Sequence, residues 1–253
     1  MPDFDLIRRL DRFYSSYRGY FRARVEGWER LPEGPALLAA NHNGGFVMPE
    51  APLAVHSFHR ATGFSDPLVV LGHDLAFRVP GVRSLIPRLG VVPARPENAR
   101  AAFAAGRKVF VYPGGDHDVM RPSRERDRIA FGQRTGFVKV ALEAGVPIVP
   151  VVAAGAHDVW HVLTRGERLA RWSGLADSRF RLKVFPIVVS FPWGLTSGFL
   201  PFLPYPARIL IEVGEPVHLS GSPDDPADLA RGAREVVASM QTIMNRLASE
   251  LRR

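Results

Sequence analysis

Residues 36–45, Ala-Leu-Leu-Ala-Ala-Asn-His-Asn-Gly-Gly, contain the pattern that decides the fold. An uninterrupted apolar run leads into a polar loop that contains two glycines. A continuous apolar run of this length is typical of a strand that is buried on both faces, as in a parallel sheet. We therefore predict a buried strand that ends at the loop carrying His42.

The same kind of short apolar run recurs along the chain. Further strands are predicted at 69–71, 91–92, 108–112, 147–152 and 208–213, with short helices between 75 and 89. A helix at 136–144 ends before Gly145, and a long amphipathic helix follows Asp225-Pro226, a pair typical of an N-cap and first helical residue. This alternation predicts an α/β fold with a mostly parallel central sheet flanked by helices.

The first residues have a different pattern. Leu6, Leu10, Phe13, Tyr17 and Tyr20 share one helical face, and arginines crowd the remaining surface. This pattern fits a helix in a membrane interface, and it equally fits a helix packed on the domain with a solvated basic face. We therefore divide the chain into an amphipathic helix at 1–25, either membrane-interfacial or packed on the domain, and a single domain at 26–253.

Composition limits the possible functions. The 253 residues include no cysteine, which excludes disulfides, thiolate metal sites and cysteine nucleophiles. The net charge of +8 predicts anionic partners. Nucleic acid is not expected to be one of them, because the sequence has no recognisable binding module and no surface of interleaved basic and aromatic residues. The start is too charged for a secretory signal, and no run approaches the roughly 20 apolar residues of a spanning helix.

Polar residues follow two of the predicted strands at their carboxyl ends, where open α/β sheets bind ligands. His42 follows one strand, and Asp116 follows the other. A histidine in such a position can take a proton from a hydroxyl group if a carboxylate holds its ring. Glu50 and Asp116 are the candidate carboxylates. The alternative is a histidine that is hydrogen-bonded for structural reasons.

Three segments resemble the conserved blocks of the lysophospholipid/glycerol-phosphate acyltransferase family. Residues 34–45, Gly-Pro-Ala-Leu-Leu-Ala-Ala-Asn-His-Asn-Gly-Gly, are similar to its first block. Residues 109–115, Val-Phe-Val-Tyr-Pro-Gly-Gly, occupy the place of its Phe-Pro-Glu-Gly block. Residues 136–150 are similar to a later block in which a helix ends and a strand closes in proline. The order and spacing of the blocks match as well, over roughly residues 26–217.

The resemblance implies a specific reaction. His42 is the base that removes the proton of an acceptor hydroxyl, which then attacks an acyl thioester, either acyl-CoA or an acyl carrier protein. No covalent acyl-enzyme forms, and neither a metal nor a cofactor is needed; acyl-CoA is a co-substrate. The acceptor is a lysophospholipid or a glyceride. The enzyme is expected to be peripheral, on the cytoplasmic face of a membrane. The alternative is a lipid- or membrane-binding protein that kept the fold and lost catalysis.

The sequence departs from the family pattern at two positions. The carboxylate that normally follows the histidine after four residues is replaced by Val47. Members with a longer His-x-Gly-Gly loop carry an acid about where Glu50 lies, so the resemblance assigns the orienting role to Glu50, with Asp116 in reserve. Gly114 replaces the usual glutamate, which makes the block similar to the diacylglycerol acyltransferase branch and puts a glycerol-3-phosphate acceptor in doubt.

Other residues are predicted to contact substrates. Arg121 and Arg134 are candidates for binding phosphate, although they also fit a solvated loop with internal ion pairs. The loop 191–205 is predicted to line an acyl channel, to enter the membrane interface, or simply to fold over the sheet. The predicted substrate-binding residues are Asn43, Gly44, Gly45, Pro113, Gly114, Gly115, Asp116, Arg121 and Arg134.

Overall fold

The computed structural model describes residues 2–45, 47–167 and 185–253, without the side chains of Asp116 and His117. The strands are β1 Arg24–Glu26, β2 Leu37–Ala40, β3 Leu68–Gly72, β4 Val91–Pro93, β5 Lys108–Val111, β6 Ile148–Ala154, β7 His161–Thr164, β8 Ile187–Ser190, β9 Gly194–Ser197 and β10 Leu210–Val213. The helices are α1 Phe4–Arg9, α2 Asp11–Tyr20, α3 Glu50–Ala61, α4 Val82–Leu85, α5 Pro96–Ala104, α6 Gly115–Val119, α7 Gly136–Ala144 and α8 Pro226–Leu251.

A seven-stranded sheet in the order β1-β10-β6-β2-β5-β3-β4 forms the centre of the molecule. All of its neighbouring pairs are parallel except β10 with β6. The predicted α/β fold with a mostly parallel sheet is therefore confirmed. Since β2 lies between β5 and β6, the carboxyl ends of these three strands meet at one edge of the sheet.

Each face of the sheet is covered by helices, and successive side chains alternate between the two faces. Leu38 and Phe110 face a core completed by α3 and the end of α2. Leu37 and Val109 face a second core completed by α5, α7 and α8. All four residues of β2 are buried, as expected for a strand covered on both faces.

Most predicted elements are present with nearly the predicted bounds. The helix at 136–144 ends at Gly145 in the left-handed conformation, and the Asp225 side chain accepts a hydrogen bond from the Ala227 N–H, as its N-cap role requires. The prediction of an irregular loop at 191–205 is wrong in part, because Gly194–Ser197 form the strand β9. Strands β7, β8 and β9 form a separate antiparallel sheet that the sequence analysis did not anticipate.

The N-terminal segment forms two helices, α1 and α2, that meet at Leu10 rather than one continuous helix. They pack against α3 through aromatic and ionic contacts. The Tyr14 ring stacks on the His56 ring at 4.2 Å, and Asp11 Oδ1 lies 3.2 Å from His56 Nε2. The Phe4 ring contacts the His59 ring edge-on at 5.7 Å. No helix among the described residues is long and apolar enough to cross a bilayer.

His59 makes the packing of these helices sensitive to pH. Its ring is fully buried, and neither nitrogen has a hydrogen-bond partner among the described residues. Burial, with a smaller contribution from the nearby His56, lowers the pKa of His59 from 6.5 to about 4. Because the folded protein keeps the ring neutral, protonation favours the unfolded chain.

We expect the stability supplied by a neutral His59 to be complete above pH 6.5 and to decrease as the pH falls toward 4. The loss is up to about 3 kcal/mol, from the size of the pKa shift. Thermal denaturation of the wild-type protein and His59→Phe between pH 7 and pH 4.5 measures it. The phenylalanine variant should lose less stability on acidification, because its ring cannot be protonated. Equal losses in the two proteins would contradict the assignment to His59.

Candidate active site

His42 lies just beyond the carboxyl end of β2, in the loop that leads to α3. Its ring Nδ1 is 2.9 Å from Glu50 Oε1. A carboxylate only accepts hydrogen bonds, so the pair selects the tautomer with the proton on Nδ1 and leaves a lone pair on Nε2. Nε2 has no hydrogen-bond partner among the described residues, and 12% of the side-chain surface is exposed. The ring is therefore equipped to accept a proton.

Glu50 is held in place by its position in the fold. It is the first residue of α3, and its side chain is 2% exposed. The positive end of the helix dipole favours a carboxylate there. Oε1 also accepts a hydrogen bond of 2.9 Å from the backbone N–H of Asn43, so the glutamate fixes both the His42 ring and the loop that follows it.

The backbone of His42 is held by a second buried pair, formed by Asp118 and Arg121. Asp118 Oδ2 accepts a hydrogen bond of 2.5 Å from the His42 N–H. Arg121 Nη1 donates to the His42 carbonyl oxygen at 2.8 Å and to Asp118 Oδ1 at 2.8 Å. Both side chains are completely buried. Burial raises the pKa of the Asp118 carboxyl, and the Arg121 guanidinium and the His42 N–H oppose that rise.

Arg121 also fixes the neighbouring chain. It donates to the carbonyl oxygens of Glu125 and Arg126 and to the side-chain oxygen of Asn43. The His157 Nε2–H donates to the Arg121 carbonyl oxygen at 2.9 Å. Arg121 thus connects the loops that follow β2, β5 and β6.

These contacts correct two predicted substrate contacts. The prediction that Arg121 binds a phosphate is wrong, because its guanidinium has no exposed surface and its donors are used within the protein. The prediction for the Asn43 side chain is also wrong. Asn43 is 1% exposed and pairs with Arg121 and with the Ala153 carbonyl oxygen.

The loop glycines, which are predicted substrate contacts, also make close contacts within the protein. Gly44 and Gly45 have φ angles of +67° and +59°, which other residues rarely adopt. A Cβ atom on Gly45 would lie 2.7 Å from the Trp160 ring, and one on Gly44 would lie 2.6 Å from Pro49 Cδ. Both glycines are buried, so they let the His42 loop pack closely against its neighbours.

The turn at 113–115 lies beside His42. The Tyr112 ring, just before it, stacks on the His42 ring with centroids 4.5 Å apart. Burial raises the pKa of Tyr112 well above 10. A Cβ atom on Gly114 would lie 2.4 Å from the Asp118 Cβ, which explains why no glutamate is accommodated at this position.

Of the remaining predicted contacts, Pro113 is buried, while Gly115 is partly exposed and Arg134 is exposed. Arg134 Nη1 lies 3.4 Å from the Pro113 carbonyl oxygen. Gly115 and Arg134 therefore remain predicted substrate contacts. The side chain of Asp116, the reserve partner for His42, lies outside the described residues.

The positioning role of Asp118 was not predicted from the sequence. It precedes Arg121 by three residues, a spacing at which side chains of opposite charge meet on a helical turn. The contributions of Tyr112 and Asn41 to the site were not predicted either. The Asn41 side chain continues the hydrogen-bond ladder between β2 and β6, since its Oδ1 accepts from the Ala153 N–H at 2.8 Å and its Nδ2 donates to the Ala153 carbonyl oxygen at 3.0 Å.

Comparison with known proteins identifies relatives of the chain. The family model described as Acyltransferase matches residues 22–154. An uncharacterized protein of Mycobacterium tuberculosis is 32% identical over 96% of this chain and 66% of its own length. The human protein named DGAT1/2-independent enzyme synthesizing storage lipids is 28% identical over 78% of this chain and 57% of its own length. The chain thus spans less than two thirds of the length of either relative.

Among solved structures, the chain is similar to the 1-acyl-sn-glycerophosphate (LPA) acyltransferase PlsC from Thermotoga maritima. The TM-score is 0.51 at 18% sequence identity, over 92% of this chain and 77% of that chain. At this identity the similarity shows a shared fold.

Proposed function

This chain belongs to the acyltransferase family of glycerolipid acyltransferases, and we propose that it transfers a fatty acyl group from a thioester to a lipid hydroxyl, with His42 as the base. The observation that carries the proposal is the His42–Glu50 pair at the carboxyl edge of the sheet. His42 Nδ1 lies 2.9 Å from Glu50 Oε1, which leaves Nε2 to accept a proton.

The proposed step needs only the two substrates and the protein. Nε2 of His42 takes the proton of the acceptor hydroxyl while the hydroxyl oxygen attacks the thioester carbonyl carbon. Glu50 stabilises the imidazolium that forms. The Gly114 backbone N–H is proposed to stabilise the oxyanion, since Pro113 has no N–H and the Gly115 N–H donates to the Tyr112 carbonyl oxygen at 3.2 Å. The attack forms the C–O bond of the new ester. Collapse of the tetrahedral intermediate then restores the carbonyl and breaks the C–S bond, and the proton passes from His42 to the leaving thiolate.

Two observations bear on the acceptor. Gly114 leaves no space for the glutamate of the Phe-Pro-Glu-Gly block, since Asp118 fills it. The human relative is named for the synthesis of storage lipids. Together they support a mono- or diacylglycerol acceptor over a phosphorylated one.

The test is the purified protein with one acyl-CoA and a panel of acceptors, followed by mass spectrometry of the lipids. We expect acylated glyceride as the main product, with less product from lysophosphatidate. Wild-type protein that binds vesicles but neither transfers nor hydrolyses any thioester would contradict the proposal and favour a non-catalytic lipid-binding protein. The intact His42–Glu50 pair supports catalysis over that alternative.

We further propose that the protein rests on a membrane through an apolar surface formed by α2 and the segment 191–203. Phe13 is 59% exposed on α2, and Trp193, Leu195 and Leu203 are 53%, 69% and 61% exposed on the segment. The Tyr20 hydroxyl joins the two parts by donating to the Pro204 carbonyl oxygen at 2.6 Å. Exposed arginines along α1 and α2 complement anionic lipid head groups.

Replacing Phe13, Trp193 and Leu195 together with serine is expected to weaken binding to vesicles containing phosphatidylglycerol about tenfold or more, because large apolar side chains no longer enter the interface. Vesicle co-sedimentation measures it. These substitutions are preferable to deleting the N-terminal segment, which also contains the buried Phe21. Leu163→Ser, an exposed leucine on β7, is the control. Unchanged partitioning of the triple variant would contradict the proposed surface.

A further inference from the structure

A cleft lies between the first half of α8 and the chain that follows α6, away from the His42 ring. Its volume is about 1090 Å³. Glu125 is the one carboxylate among its described lining residues. Four arginines line it as well, namely Arg128, Arg134, Arg165 and Arg234. We call this feature the arginine cleft. It has a strong positive charge for a single concave surface.

Two of these arginines have no charge partner among the residues that the structure describes. Arg128 on one wall and Arg234 on the other are exposed, and neither forms an ion pair with a described residue. Arg165 forms an ion pair with Glu125, with 3.8 Å between Arg165 Nη2 and Glu125 Oε2. Like charges that face one another across a cleft repel, and a bound polyanion relieves that repulsion while it accepts charge-assisted hydrogen bonds.

The cleft also contains apolar surface. Phe131, Val237 and Ala233 line it between the arginines. A bare phosphate would leave this apolar surface uncovered, and so would the single phosphate of a carrier-bound phosphopantetheine arm, which has no base. A nucleotide matches both features, because its phosphates suit the arginines and its flat base suits the apolar part.

The arginine cleft adjoins a second, apolar groove of about 390 Å³. Leu71, Ala99, Val111 and Phe137 are among the residues that line the groove, and Arg134 lines both cavities. Arg134 rests on the turn at 113–115, where a Cβ atom on Gly115 would come within 2.4 Å of its Nη1. Cleft and groove therefore meet at the turn beside Tyr112, whose ring stacks on His42.

We propose that the arginine cleft binds the phosphorylated adenosine diphosphate head of acyl-CoA, with the acyl chain in the apolar groove and the thioester at the turn between them. This assignment rests on the proposed acyl transfer and selects coenzyme A over a carrier protein as the acyl carrier. The pantetheine arm spans the distance from the head to the thioester, so the head need not lie next to His42.

The test uses the variant Arg128→Ala/Arg234→Ala and coenzyme A itself as the probe in calorimetric titration. We expect the affinity for coenzyme A to fall about tenfold or more, because each substitution removes a charge-assisted hydrogen bond to phosphate. The control variant Arg107→Ala/Arg253→Ala removes the same charge outside the cleft and should bind as the wild type does. No binding to the wild-type protein, or equal binding by both variants, would overturn the assignment.

A kinetic comparison separates this inference from the proposed function. With acyl-CoA, the cleft variant should show a KM raised about tenfold or more. With the N-acetylcysteamine thioester of the same fatty acid, which lacks the nucleotide, it should match the wild type. A raised KM for acyl carrier protein but not for acyl-CoA overturns the assignment. Binding of coenzyme A without transfer from any thioester would contradict the proposed function and leave the cleft assignment standing.

Discussion

His42→Ala is expected to lower the rate of acyl transfer about 10²–10⁴-fold, because no other side chain that the structure describes is placed to take the proton of the acceptor hydroxyl from the same position. The decrease should appear in kcat rather than in KM, since the ring accepts the proton in the transition state and does not contribute to the binding of the substrates. Initial rates with acyl-CoA and a glyceride acceptor measure both constants.

Glu50→Gln provides the matched comparison. It keeps the size of the side chain and removes the charge that supports the imidazolium, so a smaller decrease in kcat is expected. Its far-UV circular dichroism should match that of the wild type. Transfer by His42→Ala within tenfold of the wild-type rate would remove His42 from the mechanism.

Arg121→Met is expected to lower the free energy of unfolding by about 3–5 kcal/mol, because it leaves the buried Asp118 carboxylate without its cation. The loop that carries His42 should be affected as well, since Arg121 holds the His42 carbonyl oxygen and the Asn43 side chain. Urea denaturation measures the loss. The double variant Asp118→Asn/Arg121→Met should recover part of it, because no unpaired charge remains buried.

The nearby exposed pair of Arg126 and Asp158, at 3.3 Å, supplies the control. Arg126→Met should cost about 1 kcal/mol or less, as is usual for ion pairs at the surface. If Arg121→Met costs no more than that, the buried pair does not hold the loop as its geometry indicates.

Much of the fold was predictable because β2, β5 and β6 are short apolar runs that lead into loops containing glycine or proline. The His42–Glu50 pair was predictable only through the family resemblance, since the residues themselves left Glu50 and Asp116 as equal candidates. The structure brings Glu50 to the His42 ring because α3 begins at that residue and turns it back toward β2.

What sequence could not provide was the burial of charged and polar groups. Arg121 reads as a surface arginine in an arginine-rich loop, and only the folded loops after β2, β5 and β6 enclose it. The small antiparallel sheet was missed for a related reason. The residues of β9, Gly194–Ser197, lie among prolines and aromatic residues that resemble an irregular loop, although they form a tight hairpin with the neighbouring β8, in which Ser190 pairs with Gly194.

The packing of Trp160 on Gly45 also gives experimenters an optical reporter. The indole is 1% exposed and stacks on Phe202 at 5.1 Å, so its fluorescence should be shifted to short wavelength, in contrast to that of the half-exposed Trp193. Any rearrangement of the backbone next to His42 must change the surroundings of this chromophore. With the other tryptophans replaced by phenylalanine, stopped-flow emission would follow substrate-induced motion at the catalytic loop in real time, without an attached dye.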